Sequence, residues 1–254
     1  MFELIRSNKR RSVVLVVAFI LVVGLVGAAI GAVVGNGIAF TVAALVISAL
    51  IAFTSYWKAD KIALSVSRAH PAPPEEYARL HNLVEGLCIA GVIPKPGIYV
   101  IDDPAPNAFA TGRNPNHAAI AVTTGLLEMM NRVELEGVIA HELSHIRNYD
   151  ILVSTLAVTM VGAVALMSDL AIRTMWWNGG RVARNGDRGD GNNPLAWIGI
   201  IMLIVAPIVA KAMQATISRR RETLADVSAC QLTRYPPGLI SALEKLQADT
   251  TVTH

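Results

Sequence analysis

The sequence predicts an α+β membrane protein: four transmembrane helices carrying a mainly helical cytoplasmic domain with a small β-sheet. Three observations lead there. Hydrophobic residues make up 53% of the 254-residue chain and charged residues 16%, whereas about a quarter of an ordinary soluble domain is charged. Four long apolar runs interrupt the chain. Between the second and third runs lies a substantial polar stretch, and within it short β-branched segments alternate with turn residues.

The apolar runs come first. Val13–Gly35 carries no charge, and Ile38–Trp57 follows after Asn36 and Gly37. Each is long enough to cross a bilayer as a helix at about 1.5 Å per residue. Ile151–Met167 is the third run and Leu195–Ala210 the fourth; Lys211 can snorkel, and Ala212 and Met213 extend it. The first run is too long for a cleaved leader and a second follows at once, so residues 1–57 read as a retained hairpin. Gly27, Gly31 and Gly35 form a small-residue stripe suited to close helix packing in lipid. Arg6, Lys9, Arg10 and Arg11 precede the first run, Lys58 and Lys61 follow the second, and Lys211, Arg219, Arg220 and Arg221 follow the fourth. This bias places both termini and the polar stretch on the cytoplasmic side of a multi-pass cell-membrane protein. The 176–194 loop then faces outward, with Trp176, Trp177 and Trp197 in the outer aromatic belt and Asp169–Arg173 as an interfacial ion pair.

Charge and cysteines exclude other classes. The net charge is +3 and no basic stretch is interleaved with aromatics, so nucleic acid is not an expected partner. Cys88 and Cys230 have no metal-type spacing and form no disulfide framework; on compartment grounds they read as reduced thiols.

Within the polar stretch, a Pro-rich start at "HPAPPEEY" leads into an amphipathic helix that Gly91 and Pro94 end. "GIYVID", "NAFAT" and "AAIAVTT" suggest the small sheet. A helix around Thr124–Asn131 follows, then a longer one from about Val133 to Asp150. No internal repeat is present.

That last helix carries H-E-x-x-H, at His141, Glu142 and His145. Residues four apart on a helix lie one above the other, so both imidazoles share a side and Glu142 lies at its edge. Leu135, Ile139, Leu143 and Ile146 form a separate apolar stripe. Two neutral imidazoles suit zinc, and a neighbouring glutamate stands where it can act as general base on a water that zinc has made acidic. A catalytic zinc needs a third protein ligand. In "SRRRETLADVSAC", Glu222 and Asp226 are four apart; Glu222 is the candidate ligand, and Asp226 the acceptor for the other ring N–H of His141. Glu134 and Asp226 are the alternative third ligands. Alone, E-x-x-x-D is an ordinary solvated face. Topology strengthens it: His145, His141 and Glu222 stand about 9, 15 and 18 Å from the inner ends of their spans at helical rise. The chain thus divides into a hairpin at 1–57, a cytoplasmic catalytic region at 58–150, a second hairpin at 151–213 and a cytoplasmic segment at 214–254. His70, His81, His117 and His254 have no partner at ligand spacing.

"NAFATGRNPN", "VTTGLL", "HELSHIRNYD" and "RRRETLAD" resemble the HtpX-type membrane-bound zinc metalloproteases, relatives of the CAAX prenyl proteases. The likeness runs from the N-terminal hairpin to about Cys230. It implies a zincin-like domain facing the cytosol and a metalloendopeptidase that cleaves membrane and misfolded proteins in membrane protein quality control and stress response. It implies one Zn2+ per chain held by His141, His145 and Glu222, with Glu142 catalytic and Asp226 behind His141. Asn107, Ala108, Phe109 and Ala110 then belong to the cleft wall, where a substrate strand adds to the sheet edge. The partners are protein or peptide substrates, above all membrane proteins, and the lipid bilayer. Two features depart from the family pattern. Thr223 stands where the family carries an aromatic residue, and the chain stops at "TTVTH", which reads as a truncated or short form. Two other readings stay open: a membrane scaffold whose zinc is structural, and a narrow processing peptidase for lipidated tails.

Overall fold

The computed structural model describes residues 2–34, 37–157 and 219–249. The third apolar run beyond residue 157, the fourth run, the 176–194 loop with Trp176 and Trp177, Trp197, and the Asp169–Arg173 pair lie outside the described residues, as does Gly35 of the glycine stripe. The chain separates into two compact units. One holds Met1–Arg11, Lys58–Thr155 and Ile217–His254, the other Ser12–Trp57 and Leu156–Thr216, in so far as these ranges are described.

The second unit contains most of α1 (Phe2–Val34) and all of α2 (Gly37–Trp57). Val13, Leu21, Val42, Val46, Leu50 and Phe53 are largely exposed. Among the described residues no single helix is long and apolar enough to cross a membrane. Thr41–Trp57 and Asp60–Val66 meet that test only when taken together, by length and composition.

The first unit is mainly helical with one small mixed sheet. After α3 (Ala59–Val66) come β1 (His70–Pro71), α4 (Ala78–Gly91), β2 (Gly97–Ile101), β3 (Ala108–Asn114) and β4 (His117–Thr123). The sheet order is β1-β2-β4-β3, with β2 and β4 parallel and the other pairs antiparallel, so β3 lies at an edge. The β3–β4 register shifts between Gly112 and Asn114. Gly112 has φ 134°, and a Cβ there would lie 2.2 Å from the His117 carbonyl oxygen, so only glycine fits this bulge. α5 (Thr124–Met129) starts where the Thr123 hydroxyl accepts from Leu126 N–H.

α6 (Arg132–Arg147) is the central helix. Its N-terminus is a capping box: the Asn131 side chain accepts from the backbone of Val133 and Glu134, and Glu134 accepts from Asn131 N–H. Leu135, Ile139, Leu143 and Ile146 are essentially inaccessible and join Val84, Val100, Ile120 and Val122 in one core. α3 covers the other face of the sheet through Leu64, against Ala119 and Ala121. α7 (Arg219–Thr233) and α8 (Pro236–Ala248) pack against α6.

The expected helix from Val133 to Asp150 is shorter in the structure. α6 ends at Arg147, Asn148 caps it, and Tyr149 takes the left-handed φ of 59°. A continuing helix cannot hold that conformation. Residues 150–157 are helical again. The helix expected over Thr124–Asn131 stops at Met129, because Met130 is extended and Asn131 caps the next helix.

Candidate metal centre

Packing fixes α6 from two sides. α8 crosses it so closely that a Cβ on Gly137 would lie 2.9 Å from the Leu239 backbone. Ser241 Oγ and Lys245 Nζ donate to Glu134, each at 2.7 Å. Burial pushes the Glu134 carboxyl up, but the Lys245 and Ser241 hydrogen bonds, the Asn131 N–H and the Lys245 charge outweigh it and hold the pKa at about 2. Glu134 is thus engaged with α8 and is not in the His-His-acid cluster found among the described residues. α7 lies against α6 and brings Glu222 and Asp226 to it.

The candidate ligand atoms converge. His141 Nε2 and His145 Nε2 are 3.1 Å apart, and Glu222 Oε2 is 3.5 Å from the first and 3.7 Å from the second. The outward-facing nitrogens are held separately: His141 Nδ1 lies 2.9 Å from Asp226 Oδ1, and His145 Nδ1 lies 3.2 Å from Asp150 Oδ2. When each Nδ1–H donates to its aspartate, each Nε2 turns a lone pair forward. Two lone pairs at 3.1 Å repel unless a cation lies between them. For zinc at about 2.0–2.1 Å from its nitrogen and oxygen ligands, tetrahedral neighbours stand about 3.3–3.4 Å apart. The three observed separations bracket that value, so the donor set fits zinc in spacing and chemistry. The imidazoles are mostly buried, whereas the Glu222 side chain is 52% exposed, leaving an approach on the α7 side.

Glu142 sits beside this trio, half-buried. Burial raises its pKa; the His145 and His141 imidazoles and a hydrogen bond from Ala110 N–H oppose the rise, and the Glu222 charge adds to it. Burial would lower His145, but the hydrogen bond to Asp150 and the charges of Glu142, Glu222 and Asp150 prevail and raise it.

Ala110 is on edge strand β3. Thr123 N–H donates to Asn107 C=O, which puts Asn107, Phe109 and Thr111 in the pairs bonded toward β4. The backbone groups of Ala108 and Ala110 therefore point away from β4. The "NAFA" stretch thus stands beside H-E-x-x-H, joined to it through Ala110 and Glu142.

The family model described as Peptidase family M48 matches residues 74–254. The chain belongs to peptidase family M48. Among M48 relatives, it is 43% identical over 250 residues to the "Protease HtpX homolog" of Thermoanaerobacter pseudethanolicus, covering 98% of this chain and 84% of the relative. It is 40% identical over 257 residues to that of Streptococcus uberis, covering 100% and 86%, and 44% identical over 258 residues to that of Listeria monocytogenes, covering 98% and 85%. No solved structure matches it significantly. Membership makes the chain a metallopeptidase and implies a bound metal.

Two residues at the centre escape the sequence reading. Asp150 holds His145, and Asn8 holds Asp150. The Asn-Tyr-Asp run after the helix is a turn signal that could have pointed to Asp150. No local pattern points to Asn8. His70, His81 and His117 contact Asp102, the Ala72 carbonyl and Asn114 respectively, away from the metal cluster.

Proposed function

We propose that this M48 peptidase is a zinc-dependent endopeptidase with one zinc per chain, cleaving membrane or misfolded proteins at the cytoplasmic face of the cell membrane in protein quality control. The observation that carries the reading is the set of separations among His141 Nε2, His145 Nε2 and Glu222 Oε2, with Glu142 alongside. Among the described residues the cluster has three members. A structural zinc is normally closed by four protein ligands, whereas a catalytic one keeps a position open. The scaffold reading is weaker for that reason.

When bound, zinc supplies a Lewis acid that polarises the scissile carbonyl and makes water acidic near neutral pH. The protein's own groups do the rest. Asp226 and Asp150 hold the two Nδ1–H groups and keep the Nε2 lone pairs forward. The Glu142 carboxylate takes a proton from the attacking water and later delivers it to the leaving amine. Its raised pKa suits a group that must both accept and release a proton. Ala108, with the carbonyl of Ala110, offers edge-strand hydrogen bonds to an extended substrate, and Asn107 and Phe109 flank it. Such recognition reads backbone more than side chains, which suits varied unfolded substrates.

The membrane reading rests on four spans, two in each hairpin. Largely exposed apolar side chains on α1 and α2 suit lipid better than water. Asn8, just ahead of the first apolar run, bonds to Asp150, just ahead of the third. Runs whose starts meet would enter the bilayer from one side, the side of the metal centre.

The test is cleavage of fluorescent casein by detergent-purified protein, wild type against Glu142→Gln, with and without chelator and added zinc. Loss of activity in both the variant and the chelated wild type is expected. Chelator-resistant cleavage would reject the reading.

A further inference from the structure

We propose that Asn8 is a positioning residue for the metal centre: it fixes Asp150, which in turn orients His145. The inference rests on the reading of His141, His145 and Glu222 as metal ligands. Asn8 is 3% exposed. Its Nδ2 donates to the Asn148 carbonyl at 2.9 Å and to Asp150 Oδ1 at 2.5 Å. The other oxygen of Asp150 receives the Nδ1–H of His145. With each of its two oxygens engaged by a different partner, the carboxylate is held against rotation. It is also mostly buried, its side chain 9% exposed, so its oxygens depend on protein partners for their hydrogen bonds. The nearby Arg221 guanidinium, itself buried, interacts favourably with it.

A second contact from the same segment acts on the neighbouring residue. Lys9 Nζ stands 4.6 Å from the centroid of the Tyr149 ring, on the left-handed residue that turns the chain back toward His145. Residues 8 and 9 therefore grip residues 148–150, and the metal centre is backed by chain that precedes the first apolar run. The competing role for Asn8 is a plain cap on the end of α6 through the Asn148 carbonyl. That role would support folding and leave the imidazole alone.

The experiment uses the full chain in detergent. Zinc affinity is read by chelator competition, ligand geometry by the visible spectrum of the cobalt-substituted protein, and stability by melting of the metal-free form. Asn8→Ala should weaken zinc measurably and by less than Asp150→Ala, for which the loss of the histidine's own outer partner sets about 10–100-fold, and change the cobalt spectrum. In an Asp150→Ala background the same substitution should add no further loss, because the coupling runs through Asp150. Should Asn8→Ala fail to fold, Asn8→Ser, which keeps a donor, is read the same way, with a smaller loss of affinity. A lowered melting temperature with zinc affinity and cobalt spectrum unchanged would overturn the inference in favour of the plain cap. His145→Ala separates the two levels. Zinc binding that survives it would sink the ligand assignment itself, whereas binding lost there but intact in Asn8→Ala sinks this inference alone.

Discussion

At the metal centre, the nitrogens that face away from the metal position decide what the forward nitrogens can do. Asp226 holds His141 at 2.9 Å and Asp150 holds His145 at 3.2 Å. Asp226→Ala should therefore weaken zinc binding about 10–100-fold while Glu142→Gln leaves it intact; chelator competition on both variants checks this, and unchanged affinity in Asp226→Ala would refute the support role. Glu222→Ala removes a proposed metal ligand and should weaken binding more than Asp226→Ala, by the same assay. Asp226 was legible in the sequence because E-x-x-x-D on a helix places its two acids on one face. Asp150 was not. On a continuous helix it would stand about 140° around from His145, facing elsewhere. Only the left-handed Tyr149 brings it back, and helical periodicity does not encode that break. Asn8 is further out of reach, because its partner lies 142 residues away.

At the scale of elements, α6 works because α8 and α7 hold it at fixed depth. Gly137→Ala would press a methyl against the Leu239 backbone. Overpacking of this kind costs about 1–3 kcal/mol, so the melting temperature of the metal-free protein should fall; an unchanged value would mean that α8 is free to shift. The Glu134 clamp carries a pH signature. Its pKa is lowered from 4.5 to about 2 in the folded chain, so its contribution to stability is present above 4.5 and is lost as pH falls toward about 2. Lys245→Ala should bring that pKa back toward its ordinary value and weaken the contribution. The variant should melt lower than wild type at neutral pH, and the gap should shrink on acidification through that window. A gap constant with pH would contradict the clamp. The larger elements here were readable: the apolar stripe of α6, the Gly91–Pro94 stop after α4 and the alternating strands all follow local rules. β1, two residues ending in Pro71, and the eight-residue α3 are too short for a periodic signal to show. α8 escaped too, although Pro236 and Pro237 mark its start.

For the whole molecule, composition pointed to lipid before any element was placed, and the peptidase unit was legible because its motifs lie on predictable helices and strands. One long-range meeting was legible, that of Glu222 and Asp226 with H-E-x-x-H; the joining of residues up to Arg11 to Lys58–Thr155 and the C-terminal helices in one unit was not, because no local pattern encodes it. The proposed topology predicts labelling from opposite sides. Cysteine placed at Asn185 should react with an impermeant thiol reagent on intact cells, and cysteine at Glu75 only after permeabilisation, both in a background lacking Cys88 and Cys230. The reverse pattern would invert the orientation. The proposed zinc peptidase stands or falls on the comparison of wild type with Glu142→Gln, with zinc content and casein cleavage measured on the same preparations. One zinc per chain is expected in both, with a loss of turnover in the variant of about a hundredfold or more, in line with removal of a general base. Equal turnover, or protein that cleaves casein with no zinc bound, would contradict that reading.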